Sequence, residues 1–175
     1  MPNSGNRYLQ ALEGLLKLCR LTKAVNYQNK TFTILMANDD EDTRFLVQEA
    51  LREVRVATRS EFVENGEQVL DYLYCRGRYA GASNWHLPDL ILLDLNMPRL
   101  DGREALILIK SDPDLQHIPV VILTTSHRSG DILRSYRLGA NSFISKPVTF
   151  EGLVEVLRTL CQYWFEIVSL PPDDR

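Results

Sequence analysis

The sequence predicts an α/β fold built on a doubly wound, parallel sheet of five strands. The clearest observation is the run Leu90–Asp94, in which four apolar residues end on a single carboxylate. Dense apolar runs of this kind are typical of strands buried on both faces of a parallel sheet. The second observation is that strand-like and helix-like segments alternate five times along the chain. This alternation is the order expected when crossover helices connect parallel strands.

The first two strands and helices are predicted between residues 32 and 74. Phe32–Ala37 predicts an apolar strand, whereas Val56–Val63 is polar and alternates only in part, as an edge strand can. Helices are predicted over Asp40–Val54 and Asn65–Tyr74, where apolar residues recur at helical spacing. The residues expected on their inner faces are Phe45, Leu46, Ala50 and Leu51 in the first helix, and Val69, Leu70 and Leu73 in the second.

The remaining elements are predicted between residues 75 and 168. They are preceded by Cys75–Leu87, a loop of unusual length for an α/β unit. Gly139 is a natural C-terminal cap for the helix before it. The predicted elements, in chain order, are the strand Leu90–Asp94, the helix Gly102–Lys110, the strand Pro119–Thr124, the helix Gly130–Leu138, the strand Ser142–Ser145 and the helix Phe150–Val168.

Composition and charge restrict the class of protein. The chain has 175 residues, enough for one domain with a real core, and a formal net charge of -3 with an acidic pI. An acidic chain has little general affinity for nucleic acid, so we expect no nucleic-acid partner. We expect no membrane partner either, because no apolar stretch is long enough to span a bilayer and no signal peptide opens the chain. Cys19, Cys75 and Cys161 lack metal-ligand spacing, and we interpret them as reduced thiols of a cytoplasmic protein.

Residues 1–30 differ from the rest and predict an N-terminal extension ahead of a domain over residues 31–175. Apolar residues recur there at roughly helical spacing in a basic stretch; they are Tyr8, Leu9, Leu12, Leu15, Leu16 and Leu18. One interpretation is an amphipathic helix weakly docked on the domain. The other is a helix that binds a partner.

Four polar features fall at the predicted carboxyl ends of strands. Asn38, Asp39 and Asp40 follow the first strand, and Asp94 ends the third. Thr124 and Thr125 end the fourth, and Lys146–Pro147 follows the fifth. Open α/β sheets bind ligands in the crevice outside the carboxyl ends of their strands. The fold therefore predicts that carboxylates, hydroxyls and one ammonium group share a crevice.

The chemistry of this set is coherent. Clustered carboxylates repel one another and need a cation between them, and all-oxygen ligands suit Mg²⁺ or Mn²⁺. An Asp can act as a nucleophile that forms an aspartyl phosphate, while a metal and a Lys neutralise the phosphoryl oxygens and a hydroxyl donates to them. Each residue also has an ordinary structural explanation, since Asp40 can cap a helix and a Thr commonly ends a strand.

This constellation resembles the response-regulator receiver domain. The matching segments occur in the order and spacing of that family over about residues 31–168. They are ILMANDD at 34–40, LLDLNMP at 92–98, DG at 101–102, VILTT at 121–125 and GANSFISKP at 139–147. The resemblance implies a flavodoxin-like sheet with the strand order 2-1-3-4-5.

The resemblance also implies the roles of single residues. Asp94 would accept a phosphoryl group from a sensor histidine kinase in the presence of Mg²⁺, with Mn²⁺ as an alternative. Lys146–Pro147 is often a cis peptide in this family. The other implied roles are metal binding by Asp39, by Asp94 and by the backbone carbonyl of Asn96, phosphate contact by Lys146, and switching by Thr124 and Phe143.

One position departs from the family pattern. Asn38 stands where the family has the first acid of an acidic pair. An Asn keeps an oxygen that could bind the metal but lacks the charge, which predicts weaker metal binding and altered phosphorylation or dephosphorylation rates. Alternatively, that acid acts mainly through water, and Asn serves nearly as well. The sequence leaves both interpretations open.

Three functions compete for these residues. The first is a phosphorelay signalling protein that accumulates a phosphoryl group and is not an enzyme. The second is a phosphatase or small hydrolase with Asp94 as its nucleophile, which would need a second catalytic acid or base and a lid. The third is a receiver-like protein that binds partners without phosphorylation, for which Asn38 is the sole support. Because Asp94, Asp39, Thr124 and Lys146 are all present, we favour the first.

The last predicted helix carries a wide apolar stripe that ends in Leu160, Trp164 and Phe165. We expect no DNA-binding output domain, because only this helix follows the receiver-like motifs. Trp164 and Phe165 lie beyond the length needed to cover a sheet, so we expect them to form an exposed patch and a homodimer interface with Leu160. The long loop and the ending QYWFEIVSLP at 162–171 resemble the stand-alone receivers that are paired with cyanobacterial phytochrome histidine kinases. Extra intramolecular core is the alternative to a dimer.

Overall fold

Five parallel strands form one sheet in the computed structural model, which describes residues 31–54 and 56–171. They lie in the order β2-β1-β3-β4-β5, so the predicted α/β class and strand order are confirmed. Because all five run in the same direction, their carboxyl ends meet at one edge of the sheet. The strands are β1 (Phe32–Ala37), β2 (Thr58–Val63), β3 (Leu90–Leu93), β4 (Val120–Thr124) and β5 (Ser142–Ser145).

Helices cover both faces of the sheet and divide the core into two layers. Alternate strand residues enter the two layers: Leu35 and Ile91 pack in one with α2 and α3, and Ile34 and Leu92 pack in the other with α1 and α5. Both layers are needed because central parallel strands are apolar on both faces. The helices are α1 (Glu41–Arg52), α2 (Gly66–Leu73), α3 (Gly102–Ser111), α4 (Ser129–Arg137) and α5 (Phe150–Cys161).

The predicted inner face of α1 was wrong at two positions. Phe45 and Leu46 are 60% and 43% exposed, whereas Val47, Ala50 and Leu51 are buried against the sheet. Each residue of an α-helix advances by about 100°, which places Phe45 roughly opposite Val47. The chain therefore carries two apolar stripes on α1, and only one of them faces the core.

The long loop after α2 folds back on that helix. The indole Nε1 of Trp85 donates to the carbonyl of Tyr72 at 2.7 Å, and the Tyr72 hydroxyl donates to the carbonyl of His86 at 2.9 Å. The ring of Tyr79 meets the ring of Tyr72 edge to face at 4.8 Å. Burial raises the pKa of Tyr72 to about 12, so this hydroxyl stays protonated as a donor. The loop is thus an ordered cover over one end of α2.

The chain after α5 continues as a π-helical turn over Gln162–Ile167, not as the predicted α-helix. The Val168 N–H donates to the carbonyl of Tyr163 at 3.0 Å, a five-residue span that is typical of a π-helix. This turn carries Phe165 to the amino end of β1. There its ring stacks on Phe32 with centroids 4.3 Å apart.

The predicted exposure of the last helix is therefore corrected. Phe165 is 1% exposed and Leu160 is 8% exposed, and both belong to the core layer under α1 and α5. Trp164 is partly buried against the same layer, with its ring edge to face on Tyr163 at 5.2 Å. The physical reason is that Phe32, the first residue of β1, extends the apolar face far enough to receive Phe165. Extra intramolecular core, the alternative to a dimer interface, accounts for Leu160 and Phe165.

The other expectations about the chain concern thiols, membranes and the amino terminus. Cys75 and Cys161 are free thiols, and burial raises the pKa of Cys161 to about 12, which makes it unreactive. No helix in the described part of the chain is both long and apolar enough to cross a membrane. The predicted extension of residues 1–30, with Cys19, lies outside the described residues.

Candidate functional site

Asp94 lies at the carboxyl edge of the sheet, one residue beyond β3. Its backbone N–H donates to the carbonyl of Ala37 at 3.0 Å, which ties it to the neighbouring β1. The residue is 6% exposed, so its carboxylate needs partners. Lys146 Nζ lies 2.6 Å from Asp94 Oδ2, and Asn38 Nδ2 donates to the same oxygen at 2.5 Å. Oδ1 accepts one longer bond, 3.2 Å, from the backbone N–H of Asn96.

Lys146 reaches this carboxylate from the end of β5. Its backbone N–H donates to the carbonyl of Thr124 at 2.7 Å, so the loop after β5 is fixed to β4. The side chains of Lys146 and Asp94 are 11% and 8% exposed, which makes this a buried ion pair. Such pairs persist where further hydrogen bonds satisfy the charges, as the Asn38 amide does here. The described residues contain no cis peptide bond, so Lys146–Pro147 is trans, unlike the form often found in the family that the motifs resemble.

Asn38 and its two acidic neighbours have three different environments. Asn38 is 1% exposed, whereas Asp39 and Asp40 are exposed. Asp40 is the N-cap of α1 and accepts from the Thr43 N–H at 3.1 Å. This is the helix-capping role that the sequence allowed for it. The hydrogen bond from the Thr43 hydroxyl holds the pKa of Asp40 below its usual value. Asp39 is thus the acid of this loop that remains available to a ligand.

Arg44 shapes the same loop and was missed from the sequence. Its guanidinium donates to the carbonyl of Asn38 at 2.7 Å and to the carbonyl of Asp39 at 2.9 Å. These bonds hold the loop between β1 and α1 over the site. An Arg one turn into a helix carries no pattern that predicts such contacts with carbonyl groups.

The two predicted switch residues lie on neighbouring strands. Thr124, the last residue of β4, is fully buried, and its hydroxyl oxygen accepts a 3.4 Å contact from the Ser126 N–H. Phe143 on β5 is partly buried and packs against the core layer of α2 and α3. The register pairs Ile122 with Phe143 and Thr124 with Ser145, so Phe143 lies two residues before the site edge.

A polar network holds the loop between β4 and α4. The Ser126 hydroxyl donates to Asp131 Oδ2 at 2.6 Å, and Arg103 Nη2 donates to Asp131 Oδ1 at 2.8 Å. The Ser145 hydroxyl donates to the Ser126 carbonyl at 3.3 Å. The hydrogen bonds from Ser126 and Arg103 hold the pKa of Asp131 below its usual value. Sequence reasoning missed this network because its members come from α3, the β4–α4 loop, α4 and β5.

Gly102 allows α3 to begin directly behind Asp94. A Cβ added to Gly102 would lie 1.9 Å from the backbone oxygen of Asp94, a contact that no side chain tolerates. The Gly102 N–H also donates to the Leu95 carbonyl at 3.0 Å. The backbone of α3 therefore forms the wall of the site, and Asp101 caps this helix with a capping box through Glu104.

We predict that Gly102→Ala destabilises the domain by more than about 1–3 kcal/mol, the usual cost of overpacking, because the clash is with backbone. Gly130→Ala is the matched control. Gly130 lies in α4 with open space around its Cα, so Ala should stabilise the domain by about 0.4–1 kcal/mol. Urea denaturation measures both variants. Equal stability of the two would show that α3 can move away from Asp94.

The donor set of the site fits a hard divalent cation. The carboxylates of Asp39 and Asp94 and the carbonyl of Asn96 offer oxygen ligands, and Mg²⁺ commonly takes only one or two carboxylates and keeps several waters. Within residues 31–54 and 56–171, no cluster of three or more His, Cys, Asp or Glu side chains could hold a metal.

The structure brings most of the predicted residues together. Lys146 and Asn38 contact Asp94 directly, and Asn96 contacts it through its N–H. Thr124 is joined to Lys146 through the backbone. A buried carboxylate beside one ammonium group, with one oxygen lightly bonded, is suited to nucleophilic attack on an electrophile that carries negative charge.

Comparisons with known proteins agree with this geometry. The protein-family model of the response regulator receiver domain matches residues 34–158 of this chain. The chain is 37% identical to response regulator Rcp1 of Synechocystis sp. (strain ATCC 27184 / PCC 6803 / Kazusa), over 82% of this chain and 95% of Rcp1. It is similar to the crystal structure of the phosphorylated cyanobacterial phytochrome response regulator RcpA, with a TM-score of 0.75 and 40% identity over 82% of this chain and 100% of RcpA. The Mn²⁺-bound form of Rcp1 gives a TM-score of 0.72 and 38% identity, over 81% of this chain and 99% of that one.

Proposed function

Because the chain belongs to the response regulator receiver domain family, we propose that Asp94 is the residue on which it carries a phosphoryl group. As a two-component response regulator it works with a histidine kinase, and receiver domains bind a divalent metal. The observation that carries the assignment to Asp94 is its buried carboxylate, 2.6 Å from Lys146 Nζ at the carboxyl edge of the sheet. We also propose that the protein acts in the cytoplasm, where its free Cys75 and Cys161 would stay reduced.

The proposed transfer begins with attack by an Asp94 oxygen on the phosphorus of a phosphohistidine. A P–O bond to Asp94 forms, the P–N bond breaks, and the imidazole leaves with the bonding electron pair and takes a proton from solvent. Lys146 neutralises charge on the phosphoryl oxygens, and the buried Thr124 hydroxyl is placed to donate to one of them. A bound Mg²⁺ or Mn²⁺, held by Asp39, Asp94 and the Asn96 carbonyl, would supply further positive charge.

The switch that we propose uses Thr124 and Phe143. A phosphoryl group adds charge and strong acceptor oxygens beside Thr124, and a hydroxyl that turns toward them vacates space for the partly buried ring of Phe143. The surface of α4 and β5 would then change shape. The Arg103–Asp131–Ser126 network supports this proposal, because it is the set of bonds that such a movement of the β4–α4 loop would rearrange.

We expect acetyl phosphate with Mg²⁺ to add about one phosphoryl group to each chain. Intact mass measures the gain, and release of inorganic phosphate measures turnover. A receiver accumulates the phosphoryl group on its acceptor residue, whereas a hydrolase would release many equivalents of phosphate without accumulation. Beryllofluoride should shift the NMR resonances of α4 and β5, and spectra unchanged along those two elements would refute the switch.

We propose that the kinase binds a surface of exposed apolar residues beside the site. Phe45 and Leu46 on α1 and Val148 after β5 are all exposed, and both segments start at the carboxyl edge of the sheet. Contiguous exposed apolar patches commonly mark interfaces, and we propose that these residues form one. We propose that the partner is a phytochrome histidine kinase, which the similarity to RcpA supports. Phe45→Ala should slow transfer from the kinase but not from acetyl phosphate, and Leu108→Ala, a substitution on the outer face of α3, should slow neither.

The predicted homodimer stays a proposal, with a changed interface. In the turn after α5, the side chain of Tyr163 is 47% exposed and could contact a second subunit. Tyr163→Glu should then give a folded monomer in sedimentation velocity. Glu at Phe165 does not test the dimer, because it would disrupt the core first.

A further inference from the structure

Asn38 is held at both ends of its side chain. Its Oδ1 accepts from the Asp40 N–H at 3.1 Å, and its Nδ2 donates to Asp94 Oδ2 at 2.5 Å. A backbone N–H only donates and a carboxylate only accepts, so these two partners determine which end of the amide is nitrogen. The Asn38 backbone is fixed as well, since its N–H donates to the Val63 carbonyl at 3.0 Å and its carbonyl accepts from Arg44.

The amide changes the charge balance of the site. A carboxylate at position 38 would place a second negative oxygen against Asp94 Oδ2 and would need a cation between them. Asn38 places an N–H there, so both Lys146 and Asn38 donate to Oδ2. Asp94 and Lys146 then form a neutral pair that is already in its bonded arrangement.

We propose that Asn38 is a positioning residue: its amide donates to Asp94 Oδ2, holds the carboxylate for attack through Oδ1, and is not a ligand of the metal. This inference rests on the proposed function, in which Asp94 accepts the phosphoryl group. The asymmetry of the contacts carries it, because Oδ2 accepts two short bonds while Oδ1 accepts one bond of 3.2 Å. Oδ1 is therefore the oxygen with electron pairs available to an incoming phosphorus.

Binding a metal through Asn38 would require its amide to turn over. That movement would point Nδ2 at the Asp40 N–H, donor against donor, and would remove the bond to Asp94. Asn38 is 1% exposed, so turning the amide over would break both side-chain hydrogen bonds in a buried setting, where unpaired polar groups are costly. The nitrogen that faces Asp94 repels a cation, so Asn38 and the metal favour different arrangements of the same site.

Two substitutions at this position separate a donor from a ligand. Asn38→Ala removes the donor without adding charge, and calorimetric titration of the unphosphorylated protein with Mg²⁺ should show equal or tighter binding. Phosphorylation by acetyl phosphate at saturating Mg²⁺ should slow by on the order of tenfold, the usual effect of losing a hydrogen bond to a charged group. Weaker Mg²⁺ binding by Asn38→Ala would show that Asn38 is a ligand, and an unchanged phosphorylation rate would show that it does not position Asp94.

Asn38→Asp replaces the donor with a negatively charged carboxylate. Mg²⁺ binding should tighten by roughly tenfold, because a second inward carboxylate needs the cation, and phosphorylation should depend more steeply on Mg²⁺. Unchanged or weaker binding would contradict the charge argument.

The wild-type protein supplies a test that needs no folded variant at position 38. In NMR spectra, one side-chain amide proton of Asn38 should lie downfield as a bond to a carboxylate requires, and it should move upfield when Mg²⁺ saturates the site. A proton insensitive to Mg²⁺ would overturn the competition between amide and metal. This measurement is independent of phosphorylation, so failure of acetyl phosphate to label Asp94 would sink the proposed function and not the placement of Asn38.

Discussion

Replacing Asp94 with Asn should abolish the gain of mass that acetyl phosphate produces. The amide keeps the size and shape of the carboxylate but has no oxygen that can form an acyl phosphate at a useful rate. Asp94 is also the carboxylate that lies 2.6 Å from Lys146, so no other described acid has the same ammonium partner at this distance. The expected effect is a loss of all labelling, measured by intact mass after a saturating exposure.

Asp42→Asn is the matched control for this experiment. Asp42 lies in the first turn of α1, and its side chain is exposed. The substitution removes the same charge, and labelling should continue at the wild-type rate. If Asp94→Asn still takes up a phosphoryl group to the wild-type extent, another residue is the acceptor and the assignment is wrong.

Replacing Phe165 with Ala should lower the free energy of unfolding by about 3–5 kcal/mol, the usual cost of removing a buried aromatic side chain. Phe165 is 1% exposed, and its ring lies parallel to that of Phe32 with an angle of 12° between them. The loss therefore includes both the transferred apolar surface and a cavity against the first residue of β1. The midpoint of urea denaturation measures the change.

Tyr163→Ala is the comparison for this variant. Tyr163 lies in the same π-helical turn but is 47% exposed, so its removal should change stability by about 0.5 kcal/mol or less. A Phe165→Ala protein as stable as the wild type would mean that the turn after α5 is not part of the folded core. This result would also support the exposed patch that the sequence predicted at Trp164 and Phe165, which lie beyond the end of the match to the family model at residue 158.

The placement of the candidate site residues could be predicted because strand ends determine it. Once apolar runs located the strands, parallel order was enough to bring Asp94, Lys146 and Asn38 to one edge of the sheet. Helix faces were harder to predict. The apolar stripe of α1 allowed two orientations that periodicity does not distinguish, and Phe45 was assigned to the wrong one.

Side-chain contacts between separate helices and loops could not be predicted at all. The Arg103–Asp131–Ser126 network and the hold of Arg44 on the first loop depend on how three-dimensional neighbours meet, and no spacing along the chain encodes them. The burial of Phe165 depends likewise on a π-helical turn and on how far β1 extends at its amino end. The intrinsic propensities of the residues predict neither the π-helical turn nor the point at which β1 begins.

The close approach of Gly102 to Asp94 gives the site one stiff side and one compliant side. Backbone of α3 stands directly against the Asp94 carbonyl, in contact too close for even a methyl group, so displacement in that direction meets a steep repulsion. On the other side, the segment after Thr124 is mostly exposed and is held by side-chain hydrogen bonds that can exchange partners. We therefore expect a phosphoryl group on Asp94 to displace the segment after Thr124, next to α4 and β5, and to leave α3 in place.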